Sequence, residues 1–247
     1  MSRPREHGHA RERDPNHRPL RRASRPGSIA KPRAVIFDVD GVLLDSETIW
    51  DEARRAVVER WGGTWLPNAT TDMMGMSSRE WSAYLEERLG VPLAPERISA
   101  EVAARVDERY RESLPLLPGA REAVRRLAAH WPLGLASSAN RTIIEQFLDA
   151  SDLRASFAAT VSSEEVEHGK PAPDVYCAAA DALGVGAEHC VAIEDSTNGL
   201  RSAAAAGMAV IAVPNRHFPP SPEALALARF VARDLDDLTV DTIDTLA

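Results

Sequence analysis

Short apolar runs alternate with amphipathic stretches through most of the chain. Ala34-Val35-Ile36-Phe37 carries no polar residue and ends at Asp38. Leu133-Gly134-Leu135-Ala136 ends at Ser137, Phe157 to Val161 at Ser162, Val191-Ala192-Ile193 at Glu194, and Ala209 to Val213 at Pro214, with Phe230-Val231 a weaker sixth. Runs this short, apolar without alternation, read as strands buried on both faces. Between them apolar residues recur at helical spacing: Ala123, Val124, Leu127 and Ala128; Ile143, Ile144, Phe147 and Leu148; and the segments Pro173–Leu183 and Thr197–Ala206. Strand and helix in alternation predict an α/β protein with right-handed crossovers and a doubly wound parallel sheet.

Residues 49–113 interrupt that rhythm. They hold no convincing strand, and helical patterns run over Thr48–Arg60, Ser77–Leu89 and Pro95–Ser113, separated by Gly62-Gly63 and Gly90-Val91-Pro92. Trp50, Trp61, Trp65 and Trp81 all fall here. The reading is an all-α insertion after the first strand with its own aromatic core, and Pro115 and Pro118 mark the return to the sheet. The expected division is a discontinuous core at 34–48 and 114–247 with a helical unit at 49–113.

Charge changes the picture at the N-terminus. The net charge of −8 hides a basic stretch: residues 1–33 carry ten Lys and Arg against three Asp and Glu, which leaves −15 on the remainder. That stretch has five prolines and no Phe, Trp or Tyr. It buries too little apolar surface to offset its ordering entropy, so it is expected to be a disordered extension. Arg21-Arg22 is not followed by the apolar region of an export signal. The longest apolar run, Met208 to Val213, is far short of the roughly 20 residues of a membrane span. Cys177 and Cys190 suit neither a disulfide framework nor a zinc site. The acidic balance argues against a nucleic-acid partner, and a cytoplasmic location is expected.

Ligands of open α/β sheets bind at the carboxyl ends of the strands. The residues there are Asp38-Val39-Asp40-Gly41 after the first strand, Ser137-Ser138-Ala139-Asn140 after the second, Gly169-Lys170-Pro171 after the third, and Glu194-Asp195-Ser196 after the fourth. Four carboxylates at one edge repel unless a cation neutralises them or some stay protonated. All-oxygen ligation favours a hard ion such as Mg²⁺. A carboxylate beside such an ion can attack phosphorus. A second one two residues along can handle the leaving-group proton. A hydroxyl and a lysine opposite can hold phosphoryl oxygens. Taken singly, the two aspartates also suit a turn before Gly41, and the serines suit a helix cap.

The segment from Phe37 to Glu47, FDVDGVLLDSE, resembles the first signature of the haloacid dehalogenase superfamily. Leu135-Ala136-Ser137-Ser138, Gly169-Lys170-Pro171-Ala172-Pro173-Asp174 and Ile193-Glu194-Asp195-Ser196-Thr197-Asn198-Gly199 resemble its second, third and fourth, in order. The resemblance covers about residues 34–232 and implies a Rossmann-like core. It further implies that Asp38 is a nucleophile forming an aspartyl-phosphate, and that Asp40 is first general acid and then base. Ser137 and neighbouring amides then bind the phosphoryl group, bridged to the nucleophile by Lys170. The resemblance also implies Mg²⁺ held by Asp38, the Asp40 carbonyl and Asp195, with Glu194 binding directly or through water. The insertion looks like the family's small cap, and the partner implied is a small phosphorylated metabolite.

Asp40 separates this chain from the dehalogenases proper, which lack that aspartate. Phosphonatases need a cap lysine, and residues 49–113 contain none. β-Phosphoglucomutases resemble the core equally well, but carry a cap lysine and a histidine where Trp50 stands. The expectation is therefore a Mg²⁺-dependent phosphatase of a sugar phosphate or similar ester, with a phosphomutase as the alternative and a non-catalytic interaction protein a distant third. Ser138, Asn140, Trp50, Ser77 and Arg79 are the expected substrate contacts. Arg79 reads either as a partner for a second anionic group or as a solvated helix residue.

Overall fold

The computed structural model describes residues 31–215 and 218–246. Residues 1–30, on which most of the basic extension falls, lie outside them. Six strands, β1 (Ala34–Phe37), β2 (Leu133–Ser137), β3 (Phe157–Ser162), β4 (Cys190–Glu194), β5 (Ala209–Ala212) and β6 (Phe230–Val231), form one sheet of order β3-β2-β1-β4-β5-β6. Every pairing is parallel. This is the doubly wound order, with its switch point at β1 and β4.

The side-chain alternation of the strands feeds two apolar layers. Val35 and Phe37, Val191 and Ile193, and Ala209 and Ile211 face one side, while Ala34, Ile36, Cys190, Ala192, Val210 and Ala212 face the other. Helices α5 (Ala120–Ala128) and α6 (Arg141–Ser151) cover the first side, and α7 (Asp174–Leu183), α8 (Thr197–Ala205) and α9 (Pro222–Leu225) the second. A short C-terminal α10 (Val240–Asp244) closes the first side through Ile243.

Between β1 and α5 the chain builds α1 (Glu47–Arg60), α2 (Ala69–Met73), α3 (Ser78–Glu87) and α4 (Pro95–Glu112). Two of the starts follow from local chemistry. Ser77 and Glu80 form a reciprocal capping box at α3, and Pro95 opens α4 where its missing N–H costs nothing. Trp50 and Trp81 are buried and meet edge to face at 6.1 Å, while Trp61 and Trp65 are half-buried. The insertion does not keep a separate aromatic core. Its apolar residues join the cluster of the first sheet face, because α4 packs against α6 as well as against α1 and α3.

Candidate active site

β1 ends where its last amide bond, from the Asp38 N–H to the Ile193 carbonyl (3.0 Å), ties it to β4. The chain then turns tightly: Leu43 and Leu44 donate to the Val39 carbonyl, and Gly41 N–H donates to Leu44 O at 2.7 Å. Asp45 and Leu117 exchange backbone bonds with Pro115 and Leu43, so the strands of chain leaving and re-entering the core are stitched together. This loop presents Asp38 and Asp40 at the carboxyl edge.

Lys170 lies between two carboxylates, its Nζ donating to Asp38 Oδ1 at 2.6 Å and to Glu194 Oε1 at 2.5 Å. It also sits over the Tyr176 ring, 5.0 Å from the centroid. Lys170 is one of only two lysines in the chain, the other being Lys31. A compact ammonium suits a point-charge bridge that the wide guanidinium fork does not. Glu194 is saturated with donors. Oε1 also accepts from Tyr176 OH, and Oε2 accepts from the Asp195 and Ser196 N–H groups and from Ser196 Oγ. Two glycines make this packing possible. A Cβ at Gly41 would overlap the Asp195 carboxylate, and one at Gly199 the Glu194 carboxylate.

Asp38, Glu194 and Asp195 are at most 5 % exposed and offer oxygens that all lie within 4.8 Å of one another. Burial pushes the Asp38 carboxyl well above the ordinary range, against the pull of Lys170. Burial and then Glu194 do the same to Asp195. Burial alone would lower the Lys170 pKa, but Asp38 and Glu194 more than reverse it, so the ammonium stays charged. One bonded ammonium is not enough for three buried carboxyls to ionise together, and a further cation would let them do so. An all-oxygen donor set of this kind fits a hard divalent cation.

Asp40 is held differently. One of its oxygens, Oδ1, accepts from Ser46 Oγ (2.5 Å), from Trp50 Nε1 on α1 (3.0 Å) and from Tyr110 OH on α4 (3.2 Å). Burial and then Asp40 push the Tyr110 phenol well above its usual value, so it remains a donor. The pocket beside Asp40 is small, about 40 Å³, and is lined by Asp38, Asp40, Lys170, Glu194 and Asp195 on one side. Glu47, Trp50, Arg54 and Trp81 wall the other. Burial raises the Glu47 pKa to about 7 despite Arg54, and burial lowers that of Arg54.

The sequence-predicted residues divide between two cavities. Asp38, Asp40, Trp50, Ser138, Lys170, Glu194 and Asp195 line the small pocket. Ser137 is fully buried, its Oγ accepting from the Ala139 N–H at 3.1 Å, while Ser138 and Ala139 form the pocket wall. Ser77, Arg79 and Asn140 are not brought there. They line a neighbouring cleft of about 1500 Å³ between α3, α4 and α6. Ser77 is spent on capping α3, and Asn140 Nδ2 donates to Glu164 and Ser99. Arg54, Glu47, Tyr110 and Trp81 were not anticipated. The signal for two of them was present: residues 47, 50 and 54 share one helical face, and Arg54 interrupts the buried row Trp50, Ala53, Val57.

The insertion is fastened down onto the core loops. Ser138 Oγ donates to Gly75 O (3.0 Å), Asn198 Nδ2 donates to Met74 O (2.9 Å), and Gly169 lies so close to Ser77 and Glu80 that a Cβ would collide with both.

Known proteins are similar to this chain in sequence and in fold. Hexitol phosphatase B of Escherichia coli K12 is 38% identical over 208 residues, covering 82% of this chain and 90% of its own. The phosphorylated carbohydrates phosphatase of Thermotoga maritima is 34% identical over 176 residues, 71% of this chain and 82% of its own. Among solved structures, CbbY from Rhodobacter sphaeroides in complex with phosphate superposes with a TM-score of 0.74 at 25% identity, covering 86% of this chain and 99% of that one. A family model for haloacid dehalogenase-like hydrolases matches residues 32–207. With the ordered motifs, the doubly wound core and these relatives in agreement, the chain belongs to the haloacid dehalogenase-like hydrolases.

Proposed function

We propose that this hydrolase is a Mg²⁺-dependent phosphatase of a small phosphorylated carbohydrate, working through an aspartyl-phosphate on Asp38. The observation that carries the reading is the Lys170 bridge between Asp38 and Glu194, at 2.6 and 2.5 Å, beside the Asp195 carboxylate. Lys170 holds Asp38 Oδ1, which leaves Oδ2 to attack phosphorus. The P–O bond to the leaving alcohol breaks as Asp40 gives that oxygen its proton. In the second half, Asp40 takes a proton from water, water oxygen attacks the same phosphorus, and Asp38 is released with inorganic phosphate. The Ser138 N–H and the Lys170 ammonium are suited to the phosphoryl oxygens. Asp38, Asp195 and the Asp40 carbonyl, backed by Glu194, would hold Mg²⁺, whose charge neutralises the cluster and polarises the phosphoryl group.

A pocket of about 40 Å³ is too small for a phosphorylated sugar, since small-molecule sites occupy several hundred Å³. Helices α1–α4 therefore act as a cap that lifts to admit substrate and closes to exclude water. Closure also delivers Trp50 and Tyr110 to Asp40. The test is phosphate release from a panel of sugar and polyol phosphates. It is expected with Mg²⁺ and lost in EDTA, and Asp38→Asn is expected to lower it by more than about 10³-fold with the fold retained. Full activity in EDTA, or a near-normal rate in the variant, overturns the proposal. Conversion of β-glucose 1-phosphate into the 6-phosphate, in place of free phosphate, would make the enzyme a mutase.

A further inference from the structure

Arg54 is an anomaly in an otherwise satisfied site. Its side chain is only 7 % exposed, yet among the described residues it makes no hydrogen bond and has no carboxylate within 4.0 Å. Its Nε is buried without a partner. Two indoles hold it in place: the guanidinium carbon lies 5.4 Å from the Trp50 ring centroid and 5.1 Å from that of Trp81. Cation–π contact positions the group but leaves its five N–H donors unspent. The Glu47 charge offsets part of the cost of burying the guanidinium, but no acceptor meets its N–H groups, and a ligand hydroxyl can supply one. Arg54 faces the pocket that holds Asp38 and Lys170, on the wall opposite the strand-end carboxylates.

We propose that Arg54, with Glu47 beside it, is the receptor for the hydroxyl groups of the leaving polyol, and so sets the substrate as an uncharged sugar or polyol monophosphate. This rests on the phosphatase reading and names its substrate class. The chemistry of the wall selects the ligand. The guanidinium donates to hydroxyl oxygens, the Glu47 carboxylate accepts from hydroxyl hydrogens, and the Trp50 and Trp81 faces suit C–H groups. A second anionic group, as in a bisphosphate or a phosphorylated carboxylic acid, would gain Arg54 but meet Glu47 in a pocket that already holds Asp38, Asp40, Glu194 and Asp195. A phosphoryl group is drawn to the Lys170 end and leaves the Arg54 end for the alcohol.

The experiment compares kcat and KM for a hexitol 6-phosphate, phosphoglycolate and p-nitrophenyl phosphate in wild type and in Arg54→Met and Arg54→Lys. The wild type is expected to prefer the hexitol phosphate over phosphoglycolate by about tenfold or more in kcat/KM. In Arg54→Met the ratio of kcat/KM for hexitol phosphate to that for p-nitrophenyl phosphate should fall by about tenfold or more, chiefly through KM. Arg54→Lys keeps the cation between the indoles but loses the fork, and should lower the same ratio. If Arg54→Met does not fold, the Lys variant and a wild-type measurement decide: free hexitol should compete with p-nitrophenyl phosphate, and glycolate should not. An unchanged ratio, equal losses on both esters, or a wild-type preference for phosphoglycolate overturns the inference while leaving the phosphatase standing. Absence of phosphate release from every ester with Mg²⁺ overturns both.

Discussion

The two walls of the small pocket are built on opposite principles. On the strand-end wall, polar groups are committed to one another. Glu194 takes donors on both oxygens, Lys170 is shared between two carboxylates, and Gly41 and Gly199 are absent side chains into which those carboxylates fit. On the helical wall, Arg54 makes no hydrogen bond and rests between two aromatic faces, while Trp50 reaches across to Asp40 Oδ1, which Tyr110, lining the neighbouring cleft, also meets. The first wall is organised before substrate arrives, as electrostatic stabilisation of a fixed reacting group requires. The second is organised around whatever occupies the gap. Chemistry common to many esters belongs on the rigid wall, and discrimination among esters belongs on the movable one.

The comparison breaks most severely at Lys170. Lys170→Met removes the ammonium and leaves Asp38 and Glu194 facing each other in a buried site, which should cost about 3–5 kcal/mol of stability together with activity. The pH dependence identifies the cause. Burial already raises the Asp38 and Asp195 pKa values above those of the unfolded chain. A carboxyl raised in this way favours the fold at pH below its unfolded pKa, and that contribution is lost as pH rises through the folded value. The variant's Tm deficit, measured in EDTA, should therefore be smaller near pH 5 than near pH 8. A deficit that does not vary with pH would mean that the lysine stem, rather than its charge, holds the wall.

Less severe is the loss of one donor to Asp40. Tyr110→Phe removes one of three hydrogen bonds to Oδ1 and leaves the ring in place. It should lower kcat by about three- to tenfold with KM altered by less than about twofold, the size of one hydrogen bond realised as the proton moves. A rise in KM with unchanged kcat would instead assign Tyr110 to the substrate wall. Trp50→Phe removes a second of the three bonds and also one of the two indoles around Arg54, so it should lower kcat and raise KM together.

The rigid wall was legible in the sequence and the movable one largely was not, for a physical reason. Asp38, Glu194 and Asp195 end or directly follow buried strands, Lys170 lies on the loop after β3, and parallel pairing brings these strand ends to one edge whatever the details of packing. The insertion obeys no such rule. Which face of α1 and α4 meets the sheet depends on how four helices pack, so Arg54 and Tyr110 could be placed on helices but not in a pocket. Helix α2 and the short α9 and α10 give no periodic signal over four or five residues. Ser77, Arg79 and Asn140 are expected substrate contacts, but the starts of α3 and α6 place them along the larger cleft instead.

Ser77 offers the smallest and sharpest test of that division. The run Ser77-Ser78-Arg79-Glu80 is a capping-box pattern, and the structure spends the Ser77 side chain on that box: Oγ accepts from the Glu80 N–H, and the Glu80 carboxylate reaches back to the Ser77 N–H at 2.8 Å. A serine so engaged, and buried against Gly169, has no hydroxyl to offer a substrate. Ser77→Ala should therefore cost about 1 kcal/mol, a fall in Tm of about 2–4 °C for a chain of this size, with KM for the preferred ester within about twofold of wild type. Should KM rise severalfold while Tm holds, Ser77 would belong to the substrate wall, and the boundary between the two cavities would have to be redrawn through α3.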